Sequence, residues 1–553
     1  MGKTKINPYP LNILIMGILS LSFLQSGAQI LNGAGQIHGS MEVDAATYTA
    51  DSLIGAPLVP EKMDVQNFTE LDYTNGRISA GVRYETYDNA LLGYDPRYNG
   101  SGIAYRYARY TDSVVDITVG NFYEQFGSGM IFRTYWSYPL GVDNSLDGVR
   151  LRLTPHKGIY IKAVTGHQRY YWTEGVGIVR GVDGEINMNE LIPNWEQHKT
   201  NVILGGSFVS KYQAPDNPSY NMPANVGATA GRINITNGGF SFYTEYAYKI
   251  NDPSAVNGYL FCPGQGLFSK ATYAQKGISL SFSAERIQNM SFKSDNAAVK
   301  NDLDMNYLPF LPRDETYQVA TFFPYATQPN GEEGLDGETQ FTIPKGTLFG
   351  GHYGTSVDVE FSAINSLDTT TLNDLNTTRQ GYTSKFFGIG QTNYWDNLTI
   401  ELQHKFSPKF RMIAQYDYET YNTDIIQDEV GFPTIHANMG VLDSYWRVTE
   451  SNTLHIEAQE FYATEYQGSW AVGLAEFNFG PSWFIGALDE YNYGNPNPLE
   501  RIHYATFTGG YTKGFFRITL GYGKTRAGIL CIGGVCREIP AADGFTLSLT
   551  ESF

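Results

Sequence analysis

Apolar and polar residues alternate along most of this chain. Ile78, Ala80, Val82 and Tyr84 interleave with Ser79, Gly81, Arg83 and Glu85, and Val149, Leu151 and Leu153 with Arg150 and Arg152. Ile278, Leu280, Phe282 and Ala284 alternate with Ser279, Ser281, Ser283 and Glu285 in the same way. Leu398, Ile400 and Leu402 flank Thr399, Glu401 and Gln403, and Phe516, Ile518, Leu520 and Tyr522 flank Arg517, Thr519 and Gly521. A strand sends successive side chains to opposite faces, so each stretch predicts a ribbon with one greasy and one wet face. No apolar run after the first 28 residues approaches the ~20 residues of a membrane helix. The pattern therefore predicts an all-β chain.

The links between these stretches fall into two sizes. Short ones carry turn chemistry: Asn75-Gly76, Thr111-Asp112-Ser113, Pro155-His156-Lys157-Gly158, Thr236-Asn237-Gly238-Gly239, Ser407-Pro408-Lys409, Gly480-Pro481-Ser482 and Thr512-Lys513-Gly514. Longer polar links run over 89–102, 123–145, 172–199, 213–227, 424–440 and 492–501. Short turns on one side and long loops on the other is the asymmetry of a transmembrane β-barrel. About 22 strands are readable, but their up-and-down parity fails in the middle of the chain. An unread strand within 172–199 and another within 289–394, around Val319–Phe323 or Lys385–Ile389, would restore it. The expected fold is one antiparallel transmembrane barrel of even strand number, roughly 22 to 26. The stretch 289–394 is a long insertion, expected to act as a constriction or an outer cap. A secreted propeller or solenoid also alternates, but no repeat of roughly 40–50 residues is present.

The ends fit this reading. Lys3 and Lys5 precede an apolar run from Leu11 to Leu24, and Ser26-Gly27-Ala28 supplies small residues before Gln29, so 1–28 is expected to be a cleaved signal peptide and 29–553 the barrel. At the other end Phe545, Leu547 and Leu549 share one strand face and the chain stops at Phe553, which resembles the closing strand of bacterial outer-membrane barrels. Glu551 departs from that pattern, where an apolar residue is usual. The mean hydropathy of -0.29 does not oppose a barrel, because only alternate residues meet lipid. The 40 tyrosines suit membrane–water boundaries. With Lys3 and Lys5 removed, 36 basic groups stand against 56 acidic ones, a net charge of -20 that disfavours nucleic-acid binding.

Composition changes the picture in three places. In Cys531-Ile-Gly-Gly-Val-Cys536, a two-residue turn at Gly533-Gly534 would set Cys531 opposite Cys536, close enough for a disulfide on an external hairpin, with Cys262 left unpaired. A metal pair is the rival reading, but no second pair of ligands lies nearby in sequence. Arg83, Glu85, Arg150, Arg152, Glu285, Glu401 and Arg517 fall on the wet faces and are expected to line the lumen, with Asp116, Lys162, Glu245, Arg411, Asp417 and Glu457. Two acidic runs, Asp183-Gly-Glu185-Ile-Asn187 and Asp302-Leu-Asp304, space oxygens as a Ca²⁺ ligand set could, or are solvated loops. Neither matches the twelve-residue calcium loop. Gly127-Ser128-Gly129, Gly93-Tyr-Asp-Pro-Arg97 and the Gly331–Glu338 run are read as turn material. The nine histidines are scattered, and no His-Glu-x-x-His or Gly-x-Ser-x-Gly is present, so no enzyme and no cofactor is expected.

From Gln29 onward, through Asp95-Pro96-Arg97-Tyr98, Gly120-Asn-Phe-Tyr-Glu-Gln-Phe-Gly127 and Arg180-Gly-Val-Asp-Gly-Glu-Ile-Asn187, the chain resembles a Bacteroidota outer-membrane barrel family of undefined function. It does not resemble a TonB-dependent receptor, having no room for a ~130-residue plug before its first strands. The resemblance implies residence in the outer membrane, contact with its lipid, folding by the barrel-assembly machinery and no catalytic motif. The expected role is a porin-like channel. The alternative is an accessory barrel of a secretion or surface-assembly machinery, with protein partners at the outer membrane.

Overall fold

In the computed structural model, which describes residues 29–31, 35–215, 217–428 and 430–553, one antiparallel sheet closes on itself. Twenty-four strands form the ring, and a three-residue piece, Gln29–Leu31, pairs with the start of the first, Gly35–Tyr48. The ring closes where Gly35–Tyr48 meets the last strand, Ala542–Ser552, with Val43 opposite Leu549 and Thr47 opposite Phe545. Beyond that ladder, Phe553 exchanges backbone hydrogen bonds with Gly39 at 2.9 and 3.0 Å. A Cβ on Gly39 would sit 2.3 Å from the Phe553 ring, so a side chain there would displace that terminal aromatic. The signal peptide read over 1–28 lies outside the described residues.

The even count follows from two strands hidden in the sequence. Thr173–Asn187 fills most of the stretch read as an external loop, entered by a tight link at Tyr171-Trp172. Gly331–Ile343 is the other, so the Gly331–Glu338 run read as a turn is a wall strand instead. Of the two places proposed within 289–394, Lys385–Ile389 lies in the strand Tyr382–Ser407, whereas Val319–Phe323 does not join the wall and carries a 3₁₀ turn over Gln318–Thr321. The insertion is therefore shorter than read. It spans 289–330, between Ile278–Gln288 and Gly331–Ile343. Both hidden strands carry several glycines and charges, which blur the greasy stripe while leaving the backbone ladder intact.

Outward-facing positions keep large apolar side chains bare, among them Phe282, Leu402, Leu442, Ile485, Phe507, Leu520 and Phe545. A closed ring leaves no strand edge unpaired, which is the only way a sheet can cross hydrocarbon. Closure with a bare apolar exterior places the chain in the outer membrane. Short turns then face the periplasm and the longer links face outward.

Candidate functional site

Two of the long links do not lie outside the barrel but fold into it. Segment 123–145, between Val115–Phe122 and Leu146–His156, drives Phe126, Met130, Ile131 and Phe132 to zero exposure against Val164, Val179, Val209, Val226 and Ala247 of the wall. These wall positions are small or β-branched, and their size leaves room for the entering aromatics. Segment 289–330 passes across the lumen. Its first part buries Phe292 and Met305 in the same cluster, and its last part packs Tyr317, Val319, Phe322 and Phe323 against Tyr421, Met439, Phe461 and Trp470. The segment thus reaches wall strands on both sides of the ring.

The two segments also bond to each other. Arg133 N donates to Met305 O at 2.8 Å, Tyr307 N to Gly129 O at 3.0 Å, and Asn306 Nδ2 to Met130 O at 2.9 Å. Gln168 and Asn144 both donate to Asp304 O, at 2.7 and 2.9 Å. Backbone buried in a lumen needs such partners, because an unpaired peptide group there costs about what a lost hydrogen bond costs.

Ion pairs fix the seams. Arg83 and Arg169 of the wall enclose Glu85 and Asp143: Arg83 Nε lies 2.7 Å from Glu85, and Arg169 lies 2.7 Å from both Glu85 and Asp143, with Arg83 also on Asp143. Burial pushes the Asp143 carboxyl up, but Arg169 and Arg83 outweigh it and hold the group below its usual range. Arg152 (2.6 Å) and Lys162 (3.3 Å) do the same for Glu124, and Lys293 reaches Asp304 at 2.6 Å. Glu315 has no comparable support. Burial lifts it first and Asp417 and Glu401 add to that, against Arg313 alone, so its pKa rises to about 7.

The positions read as lumen-lining are mostly buried or paired. Arg83, Glu85, Arg150 and Glu285 are buried, Glu401 lies 3.6 Å from Arg313, Arg152 holds Glu124, and Arg517 stands over the Phe484 ring near the periplasmic end. Asp116 pairs with Arg109 and Arg150, Glu245 accepts from Ser128 N at 2.8 Å, and Arg411 lies over Tyr445. The acidic runs are not open oxygen cages. Asp183 and Glu185 sit in a wall strand rather than an outer loop and share Arg232, at 2.8 and 2.9 Å. Asn187 caps a short helix. Asp302 takes Arg97 and Asp304 takes Lys293. Gly93–Arg97 is more than a turn, since Asp95 caps a 3₁₀ turn and holds Arg97.

Sequence reading missed one cluster. Asp443 and Glu457 lie directly opposite on neighbouring strands, and His455 Nε2 sits 2.8 and 3.0 Å from their oxygens. These three could ligate a metal, or an imidazolium can bridge the two carboxylates as it stands. The strand pair across 448–452 carried the signal, since Asp443 and Glu457 stand equally far from that turn and His455, two residues before Glu457, shares their face.

Cys531 and Cys536 form the disulfide, with Cα atoms 4.1 Å apart, on the hairpin Gly528–Ile539, and Cys262 is free and buried. The hairpin does not stand free at the rim. Tyr307 Oη donates to Gly533 O at 2.6 Å and Thr327 N to Gly534 O at 3.2 Å, so the hairpin rests on segment 289–330. Outside this roof a cavity of about 660 Å³ is lined by Tyr94, Arg97, Tyr170, Tyr171 and Asp302. On the periplasmic side Arg109 and Arg152 stay partly exposed on the wall.

One family profile matches residues 11–553, that of a family of unknown function (DUF6029). No curated protein has a matching sequence. Among solved structures, the P pilus usher (PapC) translocation pore overlaps 93% of this chain and 99% of its own at 9% identity, with a TM-score of 0.42. A mutant of the ferric enterobactin receptor (PfeA) from Pseudomonas aeruginosa overlaps 94% and 80% at 11% identity, with a TM-score of 0.40. OccK11 (OpdR) of the same species overlaps 94% and 96% at 6% identity, with a TM-score of 0.31.

Proposed function

We propose that this chain, which belongs to that family of unknown function, is a gated transport barrel of the outer membrane and not a standing pore. The observation that carries the reading is segment 289–330, which crosses the lumen and is anchored on opposite walls. An open diffusion pore keeps its middle wet. Here the outer half is packed with aromatic side chains and paired charges, while Arg109 and Arg152 stay partly exposed on the periplasmic wall. The segment meets the wall through two apolar clusters, ion pairs and single hydrogen bonds, none of which belongs to the barrel ladder. The outer cavity beside Arg97 and Tyr171 offers a place for a solute to wait.

Bilayer recording of the purified protein tests this. The intact chain is expected to be silent or to open rarely, and removal of 300–325 with a short flexible replacement is expected to give steady conductance steps that scale with salt. That deletion must stop short of Gly331, where the wall begins. Steady ohmic steps from the intact chain would overturn gating. Silence after deletion would favour the accessory role, in which the barrel carries a docking surface and no passage.

A further inference from the structure

Between the last part of segment 289–330, the disulfide hairpin and the wall lies a cavity of about 740 Å³. Its charged lining is uneven. Glu419 is 3% exposed, and its Oε1 has no hydrogen-bond partner among the described residues. Glu490 meets Arg526 at 3.2 Å, and Glu315 meets Arg313 at 3.9 Å, a cation that also serves Glu360 and Glu401. Arg526 is itself stacked over the Phe322 ring at 4.0 Å. Among the described residues no Lys, Arg or His forms an ion pair with Glu419. Aromatic faces of Phe323, Tyr325 and Trp395 line the same space, and the buried Trp395 Nε1 has no acceptor.

A buried carboxylate oxygen without a partner is costly, and so is an indole N–H with nothing to donate to. Both are resolved by one kind of guest. We propose that this cavity binds a small organic amine, its ammonium on Glu419 and against the aromatic faces, with a hydrogen-bond acceptor of the guest taking the Trp395 N–H. Ammonium groups gain over aromatic faces when desolvated, and a cavity of this volume suits a small molecule. The inference stands apart from transport, since a guest could bind whether or not the barrel opens.

Titration calorimetry of the full-length protein in detergent tests it, with tyramine as probe and its hydroxyl analogue tyrosol as the uncharged control. Tyramine is expected to give a saturable isotherm and tyrosol at least tenfold weaker binding. Glu419→Gln is expected to weaken tyramine tenfold or more, while Glu419→Asp retains part of the affinity. Heat-modifiable gel migration of each variant reports that the barrel is folded. No saturable heat from tyramine, equal binding of both probes, or unchanged tyramine affinity in folded Glu419→Gln would each overturn the proposal. A protonated Glu419 with a purely structural role gives that last result.

Discussion

Phe292→Ala isolates what holds the crossing segment in place. Phe292 has no exposed surface and lies in the cluster shared by both internal segments, with Lys211 and Lys249 at 5.7 and 5.4 Å from its ring centre. Removing a fully buried phenylalanine costs about 3–5 kcal/mol, because the lost transfer energy adds to that of the cavity left behind. The two ammonium groups also lose the ring, although each keeps Asp252, at 2.7 and 3.3 Å. The cost falls on docking of segment 289–330, since the wall ladder makes none of its hydrogen bonds through this side chain. That shifts the ratio of released to docked segment by about a hundred- to several-thousand-fold. Limited proteolysis in detergent, followed by mass mapping of cuts within 289–330, measures it. The expected result is rapid cleavage there with heat-modifiable migration retained. Cleavage within twofold of the parent rate would refute the idea that packing in this cluster holds the segment.

Docking is also expected to depend on pH through Glu315. Its pKa is raised from 4.5 to about 7 in the fold, so the folded state holds the proton more tightly; the stability this supplies is complete below pH 4.5 and lost as pH rises through 7, at most about 3 kcal/mol. Protease access to 305–325 should therefore rise from pH 5 to pH 8, and Glu315→Gln should flatten the profile; a profile unchanged in that variant counts against the assignment. Arg169→Met leaves Glu85 and Asp143 short of a partner in a buried site, and about 3–5 kcal/mol of lost stability is expected in denaturant titration, where a loss under 1 kcal/mol would contradict the role given to the seam. Reducing Cys531–Cys536 removes a short closed loop worth about 2 kcal/mol and should raise cleavage at 528–539 without opening the wall. Cys262, buried, should react with thiol reagents only after denaturation.

The wall was legible because lipid enforces alternation: Ile78 to Glu85 and Phe516 to Tyr522 can be sorted into two faces by eye. Legibility failed where that pressure is relaxed. Gly331–Glu338 reads as a turn because Glu332, Gly334, Asp336 and Gly337 interrupt its stripe, yet Gly331 to Phe341 pair residue for residue with Ile278–Gln288. The lumen charges were readable as a class, but their partners were not, since Arg83 meets an aspartate 60 residues away. The internal segments were hardest. Phe126 and Ile131 sit in a link that length alone marks as an outer loop, and Phe322 and Phe323 in a stretch that reads equally as a wall strand, a constriction or an outer cap, because their apolarity does not say which surface they cover.

Hydrogen–deuterium exchange of the purified, folded barrel tests the filled lumen most directly. The amides of Arg133, Met305 and Tyr307 are bonded within the lumen. Exchange at these positions is expected to be as slow as in the wall strands and far slower than in the outer link 217–224. Exchange at the outer link's rate would contradict the account, and the lumen would have to be regarded as open.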